Sequence, residues 1–553
     1  MCNPQPGAVT NQVLKRLILA IVFSPVVAYG AATTERPNIL LLVAEDLSPR
    51  IGAYGDAVAR TPNLDELAKR ATRYTRAFTT AGVCAPSRAA LITGQHQISF
   101  GGHHMRTSTG PLGEFYAQPA SGVRAFPELL RQHGYFTFTD RKLDYQFSGI
   151  LAHSGPFSIW DAENASDTAW RDRDPDQPFF GLINFFETHE SGVMRPTGPA
   201  NSEVHARTQA MRAQLVAAEV TPPEDVVVPP YYPDTETVRS DIARHYNNVH
   251  KMDERVGAIL AALEADGLRD STIIIWTSDH GDGLPRAKRE LYDSGLHVPM
   301  LIARPEHPNS DVDDRLVSFV DLAPTILRWA GIEPPSYHHG QPIDGNKRRY
   351  IYASRDRIDE IADRQRAVRD VRYKYIRSYY PELPGGHKLA YRDNLDMVRE
   401  MRSQHLSGEL NPAQNKWFEA NGAEQLYDLK LDPHELINLA QIEDYAPIRK
   451  RLSTALDRFL DARGDLGNTP EAQLKTQWTN QGEVPTTAPP VATVKDGSVH
   501  LHHPAGASIG YRISPDGRWR LYTTPLTLSQ GASVEAKAVR YGWRESSIVV
   551  TSP

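Results

Sequence analysis

The sequence predicts an α/β fold: a mostly parallel sheet flanked by helices, then a smaller α+β subdomain, then a β-rich C-terminal appendage. Four continuous apolar runs, at 37–44, 179–186, 271–276 and 298–303, read as strands buried on both faces. Amphipathic helical stretches alternate with them, and that alternation is expected of parallel βαβ units. Beyond about residue 346 the runs shorten, and apolar and polar residues alternate as in half-exposed strands.

The elements follow in order. Residues 13–32 carry Lys15 and Arg16, an apolar core from Leu17 to Val27 broken by Pro25, and the small residues Ala28, Gly30 and Ala32. This reads as a secretory signal over 1–32, with an apolar run too short for stable membrane insertion. The expected location is therefore periplasmic or secreted. Cys2 would leave with the signal, so Cys84 would remain as the single thiol and no internal disulfide could form.

A catalytic α/β domain is expected over 36–345. The first run ends at Glu45-Asp46. Leu64, Leu67, Ala68 and Ala71 then recur at helical spacing, with Asn63 as the cap. Pro86 suits the first turn of a helix running through Ile92, with Gly94 near its end. Cys84 would then precede a helix N-terminus, where free N–H groups favour an anion. The second run ends at Glu187-Thr188-His189. A helix at 236–266 places Ile242, Tyr246, Val249, Met252, Val256 and Ile259 on one face. The third run leads to Ser278-Asp279-His280. Three of the four strand ends thus carry acids or histidines, and ligands bind beyond such ends in open α/β sheets. A C-terminal subdomain is expected over 346–464, with an alternating strand at 369–377 and a helix at 444–463. Residues 465–490, rich in Gly, Pro, Thr and Gln, read as a linker. Residues 491–553 read as a small β-sandwich-like module with Pro-Asp-Gly and Gly turns.

Composition narrows the function. A length of 553 residues, 40% hydrophobic and 23% charged, allows a large core and more than one domain. A net charge of -6 without a basic block gives no basis for nucleic-acid binding, so any anionic ligand must be drawn by a local pocket. Glu45 and Asp46 are adjacent carboxylates, which repel unless a cation lies between them. With Asp279 and His280 they would make a site for a hard cation, since carboxylates suit Ca²⁺ or Mg²⁺.

The run Cys84-Ala85-Pro86-Ser87-Arg88, followed by a small apolar turn and Thr93-Gly94, resembles the signature of type I sulfatases. The resemblance covers about 36–460, and its nearest branch is the bacterial carbohydrate sulfatases similar to heparan N-sulfatase. It implies an alkaline-phosphatase-like fold. It also implies conversion of Cys84 to formylglycine, whose hydrated aldehyde is the nucleophile, by a formylglycine-generating or anaerobic sulfatase-maturating enzyme. By the same resemblance Glu45, Asp46, Asp279, His280 and residue 84 itself hold the metal, with Ca²⁺ preferred to Mg²⁺. Arg88 would bind the formylglycine hydroxyl, Lys142 and Lys288 the sulfate, and His189 the sulfate or the leaving group.

Two positions depart from the family pattern. Glu45 stands where an Asp is usual. In Lys142-Leu143-Asp144, Asp144 stands where the family has His, and an ionised Asp accepts hydrogen bonds rather than donating them. Specificity is expected from loops 96–110, 145–240 and 353–360, with His103, His104, Arg355 and Arg357 as candidate sugar or sulfate contacts. The expected function is hydrolysis of sulfate esters on a carbohydrate. The alternatives are a phosphodiesterase or phosphonate monoester hydrolase on the same fold, and a non-catalytic binder of sulfated glycans.

Overall fold

The computed structural model describes residues 36–195 and 218–552, apart from 514, 516 and 530, together with isolated positions 1, 206, 209, 210 and 213. The expected secretory signal lies outside the described residues.

The main sheet has seven strands: β1 (Asn38–Ala44), β2 (Thr72–Tyr74), β3 (Phe136–Thr139), β4 (Phe179–Phe185), β5 (Thr272–Ser278), β6 (Met300–Ala303) and β7 (Asp311–Asp313). Their order is β3-β4-β1-β5-β6-β2-β7. Strands β3, β4, β1 and β5 are mutually parallel, with Leu41 opposite Leu182 on one side and Ile275 on the other. β6 runs antiparallel to β5, with Trp276 opposite Leu301. This direction explains why the fourth apolar run carries no acids: its C-terminus faces the opposite edge. The fold is the mostly parallel, alkaline-phosphatase-like architecture that the sequence predicts.

Every residue of β1, β4 and β5 is buried, because helices cover both faces. Ile39, Leu41 and Val43 join one apolar core and Leu40, Leu42 and Ala44 the other, as strand alternation requires. The helices introduced in chain order are α1 (Pro62–Ala68), α2 (Cys84–Thr93), α3 (Phe126–Gln132), α4 (Glu236–Ala265) and α5 (Leu322–Trp329). α2, α3 and α5 cover the first face through Leu91, Ile92, Leu130, Leu322 and Ile326. α4 covers the second with Val249, Met252, Val256 and Ile259, beside Leu64 and Leu67 of α1. Burial of this kind contributes about 25 cal/mol per Å² of apolar surface, so these faces dominate the stability of the sheet.

A second, antiparallel sheet follows: β8 (Ile351–Arg355), β9 (Gln365–Arg369), β10 (Tyr373–Ser378) and β11 (Glu424–Asp428). Its outer face packs on α6 (Ala446–Arg463) through Val368, Tyr375, Leu426, Leu452 and Leu456. The stretch 465–490 contains a helix, α7 (Glu471–Trp478), whose Leu474 is buried. Turn-forming composition hides it, because a two-turn helix needs few apolar anchors. Two small antiparallel sheets close the chain. The four-stranded one is clasped to α3 by the buried Glu128, which accepts hydrogen bonds from Tyr541 at 2.6 Å and Ser508 at 2.5 Å. Tyr541 also stacks on Phe147 and belongs to the first core. Among the described residues no helix is long and apolar enough to cross a membrane.

Candidate active site

The parallel strands β1, β4 and β5 deliver their polar ends to one edge of the sheet. Glu45 and Asp46 follow β1, and Asp46 adopts a left-handed backbone with φ 53°. Such a conformation costs about 1 kcal/mol or more and persists where neighbours hold it. Here the Asp46 amide donates to Asp279 Oδ1 at 3.0 Å, and the Gly283 amide donates to the Asp46 carbonyl at 3.1 Å. Gly283 is required: a Cβ there would lie 2.9 Å from Asp46 Oδ2 and from the Glu190 backbone.

Cys84 is the first residue of α2, and its thiol is fully buried. Its Sγ lies 3.4 Å from His280 Nε2 and 3.9 Å from Asp46 Oδ1. Glu45, Asp46, Cys84 and His189 form one set of converging ligand atoms, and Asp46, Cys84, Asp279 and His280 another, each within 4.8 Å. The five residues expected to hold a cation are therefore brought together.

Basic side chains surround them. Arg88, one turn into α2, donates from Nε to Asp279 Oδ2 at 3.1 Å and from Nη1 to Asn184 Oδ1. Lys142 Nζ lies 2.7 Å from Glu45 Oε2, and Lys288 Nζ lies 2.6 Å from Asp46 Oδ2. His189 follows β4 and stacks on Phe186. The Ser191 amide donates to His189 Nδ1 at 3.3 Å, which leaves Nε2 to carry the proton, 4.0 Å from Glu45 Oε2.

The electrostatics test whether a cation fits. Burial alone would lower the pKa of His280, yet Asp279 and Asp46 outweigh it and push it up to about 10. Burial works against the Asp46 carboxylate too, but Lys288, His189 and His280 hold it well below its usual range. Glu45 goes the other way: burial raises it more than Lys142 and Arg88 lower it. Its Oε1 is buried without a hydrogen-bond partner, with only the Arg88 Nη2 charge at 3.7 Å beside it. Three buried carboxylates that draw a proton onto an imidazole, with one oxygen lacking a hydrogen bond, fit a divalent cation with oxygen ligands. His189 is driven well below its ordinary pKa, by burial first and by Lys288 next, and stays neutral.

This cluster floors a cleft of about 1100 Å³. Lys142, Asp144, His189 and Lys288 line it, while neither His104 nor Arg355 does. His104 is buried against His103 with ring centroids 4.1 Å apart. Arg355 is neutralised below the cleft by Glu290 at 2.5 Å and Asp363 at 2.9 Å. Arg357 is likewise paired, with Glu471 at 2.5 Å. Three residues that sequence reasoning passed over are central. Glu190 accepts both Arg289 Nη1 and Nη2 at 2.8 Å and lies 3.2 Å from Lys288 Nζ. Asp140 binds the Asn184 amide and thereby sets the partner of Arg88. Arg106, at the cleft wall, donates twice to Asp144. Glu190 follows His189 directly, but its partners lie about a hundred residues away, so no local signal marks it.

A buried nucleophile-sized side chain at a helix N-terminus, set among acids and bases at the C-terminal edge of a parallel sheet, defines a hydrolase of the alkaline-phosphatase-like class. The chain belongs to the sulfatase family: residues 37–332 match the Sulfatase family and residues 286–385 match the family described as N-sulphoglucosamine sulphohydrolase, C-terminal. It is 39% identical over 552 residues to an ulvan-active sulfatase of Formosa agariphila, covering 94% of this chain and 91% of that one. It is 31% identical over 334 residues to human N-sulphoglucosamine sulphohydrolase, covering 56% of this chain and 63% of that one. Among solved structures, one bound to its substrate D-glucosamine-2-N,6-O-disulfate has the same fold at 17% identity, with a TM-score of 0.55 over 79% of this chain and all of that one. The chain is thus an enzyme, a sulfatase.

Proposed function

We propose that this sulfatase removes sulfate from a sulfated polysaccharide or its oligosaccharides, with residue 84 as formylglycine in the nucleophilic position. The observation that carries the reading is the convergence of Cys84 Sγ with Asp46 and His280 inside a ring of Arg88, Lys142 and Lys288. The ulvan activity in the name of the relative sharing 91% of its length supports a polysaccharide.

When present, the formylglycine hydrate supplies the attacking hydroxyl and a divalent cation neutralises charge on the sulfuryl group. Glu45, Asp46, Asp279 and His280 would hold the cation; their donor set suits a hard cation, and the family resemblance favours Ca²⁺ over Mg²⁺. Arg88, held by Asp279 and Asn184, would bind the formylglycine hydroxyl. Lys142 and Lys288 bind sulfuryl oxygens, because a monoanionic ester enters an acidic cluster only where bases offset the repulsion. His189, neutral with its proton on Nε2, donates that proton to the departing sugar oxygen. The apolar and charged segment at 13–32 supports export to the periplasm or medium, and the residue 84 modification requires a maturating enzyme as partner.

Sulfate release from sulfated oligosaccharides, followed by ion chromatography, tests this function. Release by the wild type and none by Cys84→Ala is the expected outcome. Faster release of phosphate from phosphodiesters or phosphonates would move the chain to the phosphonate hydrolase reading. Tight glycan binding with no release would make it a binder.

A further inference from the structure

A second depression, of about 740 Å³, shares no lining residue with the catalytic cleft. One wall is α6, on which Lys450 and Arg451 lie four and three residues before Thr454, and Arg458 four after it, so that they share a face. Tyr350 and Tyr352 from the edge of the second sheet, with Phe459, provide the floor. Tyr352 and Phe459 stack at 3.9 Å between centroids and 4° between planes, which makes a flat, rigid apolar surface.

The charge is one-sided. Arg349, Lys450, Arg451, Arg458 and Arg463 line the groove, and no Asp or Glu does. Arg451 is anchored by Asp370 at 2.6 Å and by the Tyr350 hydroxyl at 3.1 Å. The other four are exposed and, among the described residues, have no carboxylate within ion-pair distance. The acids of α6 are kept out: Asp457 pairs with Arg377 at 2.6 Å, and Asp461 does not line the groove. In a chain of net charge -6, four unpaired cations beside the anchored Arg451 make a local field opposite to that of the whole.

We propose that this groove is a second binding site for the sulfated polysaccharide, engaging a stretch of chain apart from the one being hydrolysed. The proposal rests on the polysaccharide reading above for its ligand. Guanidinium groups bind sulfate oxygens in paired fashion, and the stacked ring floor takes the apolar face of a sugar. Attachment at two sites raises the effective concentration of polymer at the cleft without any new catalytic contact. A nucleic-acid duplex offers the same kind of charge, but its bases are stacked inside the helix and present no face to the aromatic floor, and its dense phosphates meet an acidic protein beyond the groove.

The test uses the full chain carrying Cys84→Ala, so that no turnover occurs. Its retardation is followed in native gels containing ι-carrageenan, with neutral agarose and double-stranded DNA as separate probes. The charge reversal Lys450→Glu/Arg458→Glu is expected to weaken retention by carrageenan at least ~5-fold, the scale of two lost surface ion contacts. Agarose retards neither protein. In the Cys84-containing enzyme the same reversal leaves sulfate release from a sulfated disaccharide within about twofold of wild type. Unchanged retention after the reversal overturns the proposal, as does DNA bound as tightly as carrageenan. If no sulfated compound is turned over at all, the functional reading fails, while the gel comparison still decides whether the groove binds the polymer.

Discussion

Asp144 grips Arg106: the guanidinium donates to Asp144 Oδ2 from Nε at 3.1 Å and from Nη2 at 3.0 Å. Asp144 is buried, while about a third of the Arg106 side chain is open to the cleft. The acid that replaces the usual His therefore brings an arginine with it. A carboxylate would repel an anionic ester, but a carboxylate capped by a guanidinium presents a cation instead. Arg106 holds a left-handed backbone, φ 54°, which fits a residue fixed in place by its partner. Substitution Arg106→Ala is expected to lower kcat/KM on sulfated oligosaccharides about 10-fold or more, mainly through KM, since charge-assisted hydrogen bonds contribute about 1.5–3 kcal/mol. Asp144→Ala frees Arg106 and lowers kcat/KM less. Unchanged kinetics in Arg106→Ala would remove it from substrate recognition.

The acidic cluster predicts metal dependence. Glu45, Asp46 and Asp279 are fully buried with few partners beyond Lys142, Lys288, Arg88 and His280. A cation bound to the folded state alone stabilises it, so chelation followed by gel filtration should lower both activity and the melting temperature. Addition of Ca²⁺ should restore both. Activity and melting temperature insensitive to exhaustive chelation would contradict the assignment of the site.

A structural ion cluster sets an acid limit. Arg366 is wholly buried and binds Asp356 at 2.9 Å and Asp465 at 2.7 Å. Burial would raise Asp465, but Arg366 and Arg364 pull it down to about 2. Its folded value is depressed, so the stability it contributes is present above the unfolded value, about 3.9, and is lost as pH falls toward 2. Asp465→Asn should flatten the loss of stability over that window in denaturant titrations. Arg366→Ala leaves the buried Asp356 unpaired and Asp465 with Arg364 alone, and should cost about 3–5 kcal/mol at neutral pH. An acid limb identical to wild type in Asp465→Asn would show that the cluster does not set it.

The Glu128 clasp predicts how the C-terminal strands are held. Glu128 joins Ser158, Ser508, Tyr541 and Arg124 within one buried site. Glu128→Ala should leave those donors unsatisfied and expose 491–552 to limited proteolysis while the catalytic core survives. Tyr541→Phe, which removes one hydrogen bond and keeps the ring stack on Phe147, should have a milder effect of about 1 kcal/mol. Equal protease resistance in wild type and Glu128→Ala would contradict this.

The sheet was readable because β1, β4 and β5 are buried on both faces and their centres are unbroken apolar runs, with polar residues confined to Asn38, Asn184, Thr272, Thr277 and Ser278 near the strand ends. The direction of β6 was not, since an apolar run carries no mark of its orientation. The residues expected to hold a cation could be picked out because each stands just after a strand or at the start of α2, and the folded chain brings them together. Glu190, Arg289 and Arg106 were not, because their significance lies in pairings that only the folded chain creates. His104 and Arg355 illustrate the converse: their residue types suit a glycan, but His103 and the acids Glu290 and Asp363 occupy them. The groove on α6 escaped notice because its cations are shared between a helix and a sheet edge, so no basic block appears in the sequence.

The most direct test of the account is the mass of the peptide containing Cys84, taken from protein made in a host that matures sulfatases. The account predicts a peptide lighter by the difference between CH₂SH and CHO, with sulfate-releasing activity proportional to the modified fraction. Unmodified cysteine in protein that is fully active would contradict it.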